Sequence, residues 1–158
     1  MNKRKEQLIN EIVGLQGSDA DPSVYSCRVY YEDTDCLGMV YHANYLKYIE
    51  RARTHHIEAR AGQSLAALND SGIVFVVRKM SLKFIRPARL GDQLEVTTSL
   101  RALPNRKQQY TRQLEQRISH NHTPIFVATV ELACVNATGK LSTWPCETGT
   151  RVPKITTN

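Results

Sequence analysis

The pattern of apolar and polar positions divides the chain into one helical stretch and a longer run of strands. Over residues 44–61, apolar and aromatic side chains recur every three or four positions, which predicts the longest helix. The positions on this face are Tyr45, Tyr48, Ile49, Ala52 and His56. Gly62 follows and is typical of a helix C-terminus. From Ile73 onward the period changes to two, which predicts strands with one buried face.

Turn signals divide the period-2 region into successive antiparallel strands. They lie at residues 87–92, 104–105, 120–124 and 136–139. A further strand, residues 24–31, precedes the helix, and residues 125–135 form the most apolar strand. This order predicts an α+β fold, a curved antiparallel sheet of five or six strands wrapped around one long central helix. Polar stretches in the edge strands favour continuation of the sheet across a dimer.

The two ends of the chain differ from this core in composition. Residues 1–23 form a leader, with a short helix predicted over residues 4–16 and a linker after it. Residues 24–145 form the domain, and residues 146–158 form a C-terminal tail. A length of 158 residues fits one domain.

Composition and charge exclude several classes of protein. The net charge is +6, but the basic residues are scattered, which argues against nucleic-acid binding. The densest basic region, residues 101–117 with Arg112 and Arg117, is predicted as a solvated strand face. No run approaches the roughly 20 apolar residues of a membrane span, and the polar start does not resemble a signal peptide. Four cysteines without a CxxC pair indicate free thiols in a reducing cytoplasm.

One segment, residues 29–45, concentrates the polar chemistry at an element boundary. Asp33 and Asp35 precede the helix, and in an extended segment they would point the same way. The free N–H groups of the first helical turn, near Tyr41 to Asn44, are suited to binding an oxyanion. Gly38 permits the tight turn that brings a carboxylate to the helix end. Such a carboxylate deprotonates water or attacks an activated carbonyl, and neither role needs a metal.

Simpler explanations exist for each of these residues. An aspartate before a helix often caps it or its turn, and spacing does not separate Asp33 from Asp35. His42 fits a second base, a substrate contact or an ordinary polar residue at a helix start. A pair of Cys36 with His42 lacks an orienting third group. Neither His55-His56 nor His120-x-His122 has metal-ligand spacing with a nearby third ligand.

Two segments resemble a known family. The first runs Tyr31-Glu-Asp-Thr-Asp35-x-x-Gly38-x-Val40-Tyr41-His42-x-Asn44-Tyr45 and is followed by Glu50-Arg51-Ala52-Arg53-Thr54. The second runs Phe84-Ile85-Arg86-Pro87-Ala88-Arg89-Leu90-Gly91-Asp92-x-Leu94-x-Val96. Both resemble YbgC-type acyl-CoA thioesterases, in the 4-hydroxybenzoyl-CoA thioesterase branch of the hotdog fold. The resemblance covers about residues 24–145.

The resemblance implies roles for individual residues. It implies that Asp35 rather than Asp33 is the catalytic carboxylate, acting either as nucleophile or as general base. It implies that the backbone N–H of His42 donates to the thioester oxygen and that the His42 side chain assists. The substrate-binding residues implied are Gly38, Tyr41, Asn44 and Tyr45. Cys36-Leu37 stands where small residues such as Ala-Gly are more usual in the family, and this leaves the acyl group open.

The resemblance also implies an activity and an assembly. The expected reaction is hydrolysis of an acyl-CoA to a free acid and coenzyme A without a cofactor or metal. A basic surface favours the phosphates of coenzyme A, and the candidates are Arg86, Arg89, Lys140 and the region 101–117. The family forms dimers through continuous sheets, commonly paired into homotetramers, with active sites at the dimer interface.

Three other functions remain open on sequence alone. The substrate could be a thioester of acyl carrier protein rather than of coenzyme A. The chain could bind acyl-CoA without turnover, as a scaffold. A hotdog dehydratase would use acids on the helix, where Glu50 and Glu58 are the candidates.

Overall fold

The computed structural model describes residues 22–101 and 110–144, which form five strands, two helices and a single 3₁₀ turn. The strands are β1 (Ser23–Arg28), β2 (Val74–Phe84), β3 (Gln93–Arg101), β4 (Thr111–His120) and β5 (Thr123–Val135). The helices are α1 (Asn44–Ala61) and α2 (Leu65–Asp70), and the 3₁₀ turn is Tyr31–Asp33. The predicted leader helix, the turn at residues 104–105 and the tail lie outside the described residues.

The five strands form one antiparallel sheet in the order β1-β3-β4-β5-β2. Helix α1 packs mainly against β1, β3 and β4 on one face. The core lies between them, because alternate strand residues on this face are apolar and buried. They include Leu94, Val96, Leu114, Ile118, Phe126 and Val130, opposite Tyr48, Ile49 and Ala52 of α1. This confirms the predicted α+β fold.

The long helix is confirmed with both of its predicted ends. Gly62 ends α1 in the left-handed region, with a φ of 66°. Its N–H donates to the Glu58 carbonyl oxygen at 2.9 Å, which satisfies one of the last carbonyls of the helix.

The first strand is shorter than the sequence predicts, and this changes the geometry of the two aspartates. β1 ends at Arg28 rather than at Tyr31, because residues Tyr31–Asp33 form the 3₁₀ turn. The Asp33 carboxylate accepts the Tyr30 N–H at 2.9 Å and stabilises that turn. The expectation that Asp33 and Asp35 share one side of an extended segment is therefore wrong.

Two further elements depart from the predicted pattern. Helix α2 was not predicted, since six residues are too few to show a helical period; Ser64 Oγ caps it by accepting the Ala67 N–H. The turn signal at residues 136–139 predicts a short sixth strand after it, but the described residues that follow form only a bridge between Val135 and Leu141. The sheet described therefore has five strands, the lower of the two predicted numbers.

Strand β4 is central rather than solvated, so the prediction of a solvated basic face is wrong for Arg112. Its side chain is 4% exposed, and its guanidinium lies 5.4 Å from the ring centroid of Trp144. Gln116 lies four residues further along the strand, on the same face. Its Nε2 donates to the Ile49 carbonyl oxygen at 2.7 Å, and its Oε1 accepts from Arg53 Nη1 at 3.2 Å. Arg112 and Gln116 can thus occupy buried positions on this strand because their side chains have hydrogen-bond partners.

Strand β2 leaves apolar side chains exposed at one edge of the sheet. β2 is an edge strand, and its apolar residues Val77, Leu82 and Phe84 are exposed.

β4 and β5 are joined by Asn121 and His122, which both have positive φ values, 48° and 61°. This confirms the predicted hairpin connection. Within residues 22–101 and 110–144, neither helix has the length and apolar character needed to cross a bilayer.

Candidate active site

The acidic segment folds into a compact loop, residues 33–44, which we call the site loop. Thr34 and Val40 form a bridge at its base. The Asp35 N–H donates to the Met39 carbonyl oxygen at 2.8 Å, and the Gly38 N–H donates to the Asp35 carbonyl oxygen at 3.0 Å. Gly38 has a φ of 71°, which glycine adopts without strain. The predicted tight turn is therefore present at Gly38.

The Asp35 carboxylate is oriented by the backbone of its own turn. Its Oδ1 accepts the Leu37 N–H at 2.8 Å and, more weakly, the Met39 N–H at 3.4 Å. No donor among the described residues reaches Oδ2. The side chain is half-buried, so one oxygen is held by the protein and the other is available to a substrate or water molecule.

Asp33 occupies a different environment, in which it serves the structure of the loop. It is 6% exposed, and its carboxylate accepts the Tyr30 N–H. Its backbone carbonyl oxygen accepts both the Tyr41 N–H and the Asn44 side-chain amide, each at 2.9 Å. Burial raises the pKa of Tyr48, and the nearby Asp33 carboxylate adds to that shift, so this phenol stays neutral.

The site loop leads directly into the N-terminus of α1. The Asn44 N–H donates to the Tyr41 carbonyl oxygen at 2.8 Å, and Ala43 offers no side-chain cap. Among the described residues, no acceptor takes the backbone N–H of His42 or of Ala43. These N–H groups and the helix dipole together make a positive end that favours negative charge.

A cleft of about 360 Å³ opens beside this helix end. Its walls are the site loop, the first residues of α1, and the end of β2 with the segment after it. The lining residues are Asp35, Met39, Val40, Tyr41, His42, Tyr45, Phe84, Ile85, Arg86 and Pro87. The cleft therefore combines one carboxylate with a largely apolar and aromatic wall.

The wall is built on a cluster of three aromatic rings. Tyr45 stacks on Phe126 at 5.2 Å between ring centroids, and Phe84 meets Tyr45 edge to face at 5.5 Å. The Tyr45 hydroxyl accepts the Ala88 N–H at 2.8 Å, which fixes the ring. Phe84 is 50% exposed and presents its free surface to the cleft.

The cleft brings together four of the six predicted site residues. Asp35, Tyr41, His42 and Tyr45 line it. The His42 side chain is exposed, with its ring 4.4 Å from that of Tyr41. The other two, Gly38 and Asn44, lie in the site loop and do not line the cleft. Gly38 forms the turn, and Asn44 is buried against Asp33.

Several lining residues were not assigned from the sequence, and one of the basic candidates lies in the cleft. Met39, Phe84, Ile85 and Pro87 were missed as site residues, although the last three belong to the second family-like segment. Of the basic residues considered for coenzyme A in the described part of the chain, only Arg86 lines the cleft. Cys36 and Leu37 are exposed and do not line it.

Comparison with known proteins agrees with the class that this fold and cleft define, a thioesterase of the hotdog type. The family model of the thioesterase-like superfamily matches residues 29–152. A crystal structure of a probable thioesterase from Bartonella henselae superposes with a TM-score of 0.69 at 33% identity, covering 79% of this chain and 100% of that one.

Two curated relatives carry the comparison to a narrower group. The acyl-CoA thioester hydrolase YbgC of Escherichia coli is 39% identical over 114 residues, which is 69% of this chain and 78% of that protein. The acyl-CoA thioesterase YbgC of Helicobacter pylori is 52% identical over 77 residues, which is 49% of this chain. The match spans 55% of the length of that relative. The chain belongs to the thioesterase-like superfamily and, within it, to the YbgC type.

Proposed function

We propose that the protein hydrolyses acyl-CoA thioesters, converting an acyl-CoA and water into a carboxylic acid and coenzyme A. The observation that carries this proposal is the placement of Asp35 in a cleft beside the open N-terminus of α1. The names of the Escherichia coli and Helicobacter pylori relatives support the same activity.

The proposed chemistry needs one base or nucleophile and one oxyanion donor. In the first route, Asp35 accepts a proton from water while the water oxygen attacks the thioester carbonyl. In the second route, Asp35 Oδ2 attacks the carbonyl itself, and water then hydrolyses the resulting anhydride. In both routes the His42 N–H and the dipole of α1 stabilise the negative carbonyl oxygen before the thiolate of coenzyme A leaves.

The thioester is a suitable substrate for such a small set of groups. Its carbonyl is already electrophilic and a thiolate is a good leaving group, so the proposed reaction needs no metal or prosthetic group. Coenzyme A enters only as part of the substrate. Arg86 lies in the cleft where it can interact with the negative phosphates. We also propose a cytoplasmic location, which suits the free thiols of Cys27 and Cys36.

The edge strand β2 supports a second part of the proposal, a homodimer. Val77, Leu82 and Phe84 are exposed on a strand that pairs with β5 along one edge only, and such open edges are normally covered in soluble proteins. A second copy that pairs with β2 would continue the sheet and close the cleft beside Phe84. Sedimentation of the full chain at micromolar concentration tests this, and a stable monomer would contradict it. Further pairing into a homotetramer stays a prediction.

The test of the activity is thiol release from a panel of acyl-CoA esters by wild type and Asp35→Asn. The amide oxygen of Asn still accepts the Leu37 N–H, so the turn should persist. We expect kcat to fall by more than about 100-fold while coenzyme A still binds. Asp70→Asn, on the exposed end of α2, is the matched control and should retain full activity.

The other outcomes distinguish the alternatives. If Asp35→Asn retains wild-type turnover, the assignment of Asp35 is wrong. If wild type hydrolyses an acyl group only when an acyl carrier protein carries it, the substrate is that protein's thioester and not an acyl-CoA. Binding of acyl-CoA without turnover by wild type would make the protein a scaffold. Intact mass after rapid quenching separates the two routes, since only nucleophilic attack adds the acyl mass to the protein.

A further inference from the structure

Asn44 is the first residue of α1, yet its side chain points away from the cleft. It is 8% exposed, and its Nδ2 donates to the Asp33 carbonyl oxygen at 2.9 Å. The same carbonyl oxygen accepts the Tyr41 N–H at 2.9 Å. Asn44 therefore joins the first turn of α1 to the 3₁₀ turn that begins the site loop.

These hydrogen bonds connect the two ends of the site loop, which contains Asp35 and His42. Asp33 precedes Asp35, and Tyr41 and Asn44 stand on either side of His42. The Tyr41 carbonyl oxygen accepts the Asn44 N–H at 2.8 Å. The two ends of the site loop are thus fixed to each other by hydrogen bonds of their backbone groups and of the Asn44 amide, and neither Asp33 nor Asn44 lines the cleft.

The arrangement also differs from an ordinary helix cap. A polar side chain near a helix start commonly accepts the N–H groups of the first turn. Here the polar side chain donates backwards instead, and Ala43 supplies no cap. The helix start is held in place while the N–H groups of His42, which lines the cleft, and of Ala43 have no acceptor among the described residues.

We propose that Asn44 is a positioning residue, whose amide sets the distance between the Asp35 carboxylate and the open N-terminus of α1. This inference rests on the proposed hydrolysis at the same site, and it replaces substrate contact as the role of Asn44. A catalytic group displaced by about 1 Å costs on the order of 100-fold in rate. Loss of the amide donor should therefore lower kcat more than it lowers binding.

The decisive variant is Asn44→Asp, which keeps the shape of the side chain and removes the donor. A carboxylate oxygen would then face the Asp33 carbonyl oxygen and repel it. A negative charge in the first turn is favourable to the helix, so α1 should stay folded. We expect kcat to fall by about 10- to 100-fold, with KM for acyl-CoA and Kd for coenzyme A within about twofold.

Two controls separate positioning from general damage. Asn69→Asp, which makes the same change on the exposed face of α2, should leave kcat, KM and the unfolding midpoint unchanged. In an Asp35→Asn background, Asn44→Asp should cost far less than it costs wild type, because residues that act as one unit are not additive. A merely structural role would give similar losses in both backgrounds.

Backbone hydrogen exchange keeps this inference separable from the proposed function. In Asn44→Asp, the Tyr41 amide should exchange at least tenfold faster, while the amides in the middle of α1 are unchanged. If wild type hydrolyses no acyl-CoA, the proposed function fails. If exchange of the Tyr41 amide is unchanged in Asn44→Asp, the hydrogen bond from Asn44 to Asp33 does not hold the site loop. Full kcat in Asn44→Asp, or a loss carried entirely by KM, would also overturn the positioning role.

Discussion

The two ends of α1 differ in how their free backbone groups are capped. At the C-terminus, Gly62 adopts the left-handed conformation and donates to Glu58. The Glu58 carboxylate accepts the Leu65 N–H at 2.8 Å and connects this end to α2. At the N-terminus, Ala43 supplies no cap, and the N–H groups of His42 and Ala43 have no acceptor among the described residues.

The difference separates a helix end built for stability from one kept for chemistry. A missing N-terminal cap costs about 1 kcal/mol of helix stability. Burial of Tyr48 and Ile49 in the core and the hydrogen bond from Gln116 to the Ile49 carbonyl oxygen hold the helix independently of that end. The N-terminus can therefore remain open without unravelling.

The largest expected effect on stability comes from Asp33→Ala, which disturbs the loop before the N-terminus of α1. The change leaves the Tyr30 N–H without its acceptor and removes a part-buried hydrogen bond to a charged group. We expect the free energy of unfolding to fall by about 2 kcal/mol and kcat to fall at least about tenfold. Urea unfolding and thiol release measure the two effects.

Asp70→Ala is the control for Asp33→Ala, because Asp70 is exposed at the end of α2. Its unfolding free energy should stay within about 0.5 kcal/mol of wild type. Equal stability of Asp33→Ala and Asp70→Ala would show that Asp33 does not hold the site loop.

A smaller effect is expected from Gly62→Ala at the opposite end. A Cβ at a φ of 66° strains the backbone, although nothing within 4 Å blocks it. We expect a loss of about 1 kcal/mol in unfolding free energy and no change in kcat below the melting transition. A drop in kcat matching that of Asp33→Ala would show that the two ends do not have separate roles.

The smallest effect at neutral pH concerns Cys27, on β1 and within the electrostatic reach of Asp33. Burial raises the pKa of this thiol from 9.0 to about 11, while Arg51 opposes the shift and Asp33 adds to it. The unfolded thiol ionises first, so its contribution to stability is full below pH 9 and is lost as pH rises toward 11.

Unfolding midpoints of wild type and Cys27→Ser across this range test the assignment. The wild type should lose more stability than the variant between pH 9 and pH 11, with little pH-dependent difference below pH 9. Alkylation gives a second measure, since the exposed Cys36 should react well before Cys27. Parallel curves for wild type and variant would contradict the shift.

Much of the fold could be predicted because its signals are local. The helical period and Gly62 mark the bounds of α1, and the apolar run of residues 125–135 marks most of β5. The end of β1 could not be predicted, because the 3₁₀ turn depends on a hydrogen bond from Tyr30 to the Asp33 side chain. The burial of Arg112 follows from strand order, which the pattern of one strand does not reveal.

The candidate site was predicted in part, for a similar reason. Spacing alone left Asp33 and Asp35 equivalent, and only the resemblance chose between them. The structure distinguishes them by burial and by which backbone N–H groups each carboxylate accepts. Phe84 joins the cleft through packing on Tyr45 and Phe126, contacts between residues far apart in sequence.

The tight turn at Asn121 and His122 has a consequence for the order of folding. Pairing of β4 with β5 closes only a two-residue loop. Pairing of β1 with β3 instead joins Ser23 to Thr98, residues that are far apart in sequence. Contacts between distant residues form more slowly than local ones. The hairpin should therefore form early and serve as a template for the other strands. The segment holding Asp35, which follows β1, would then be assembled late.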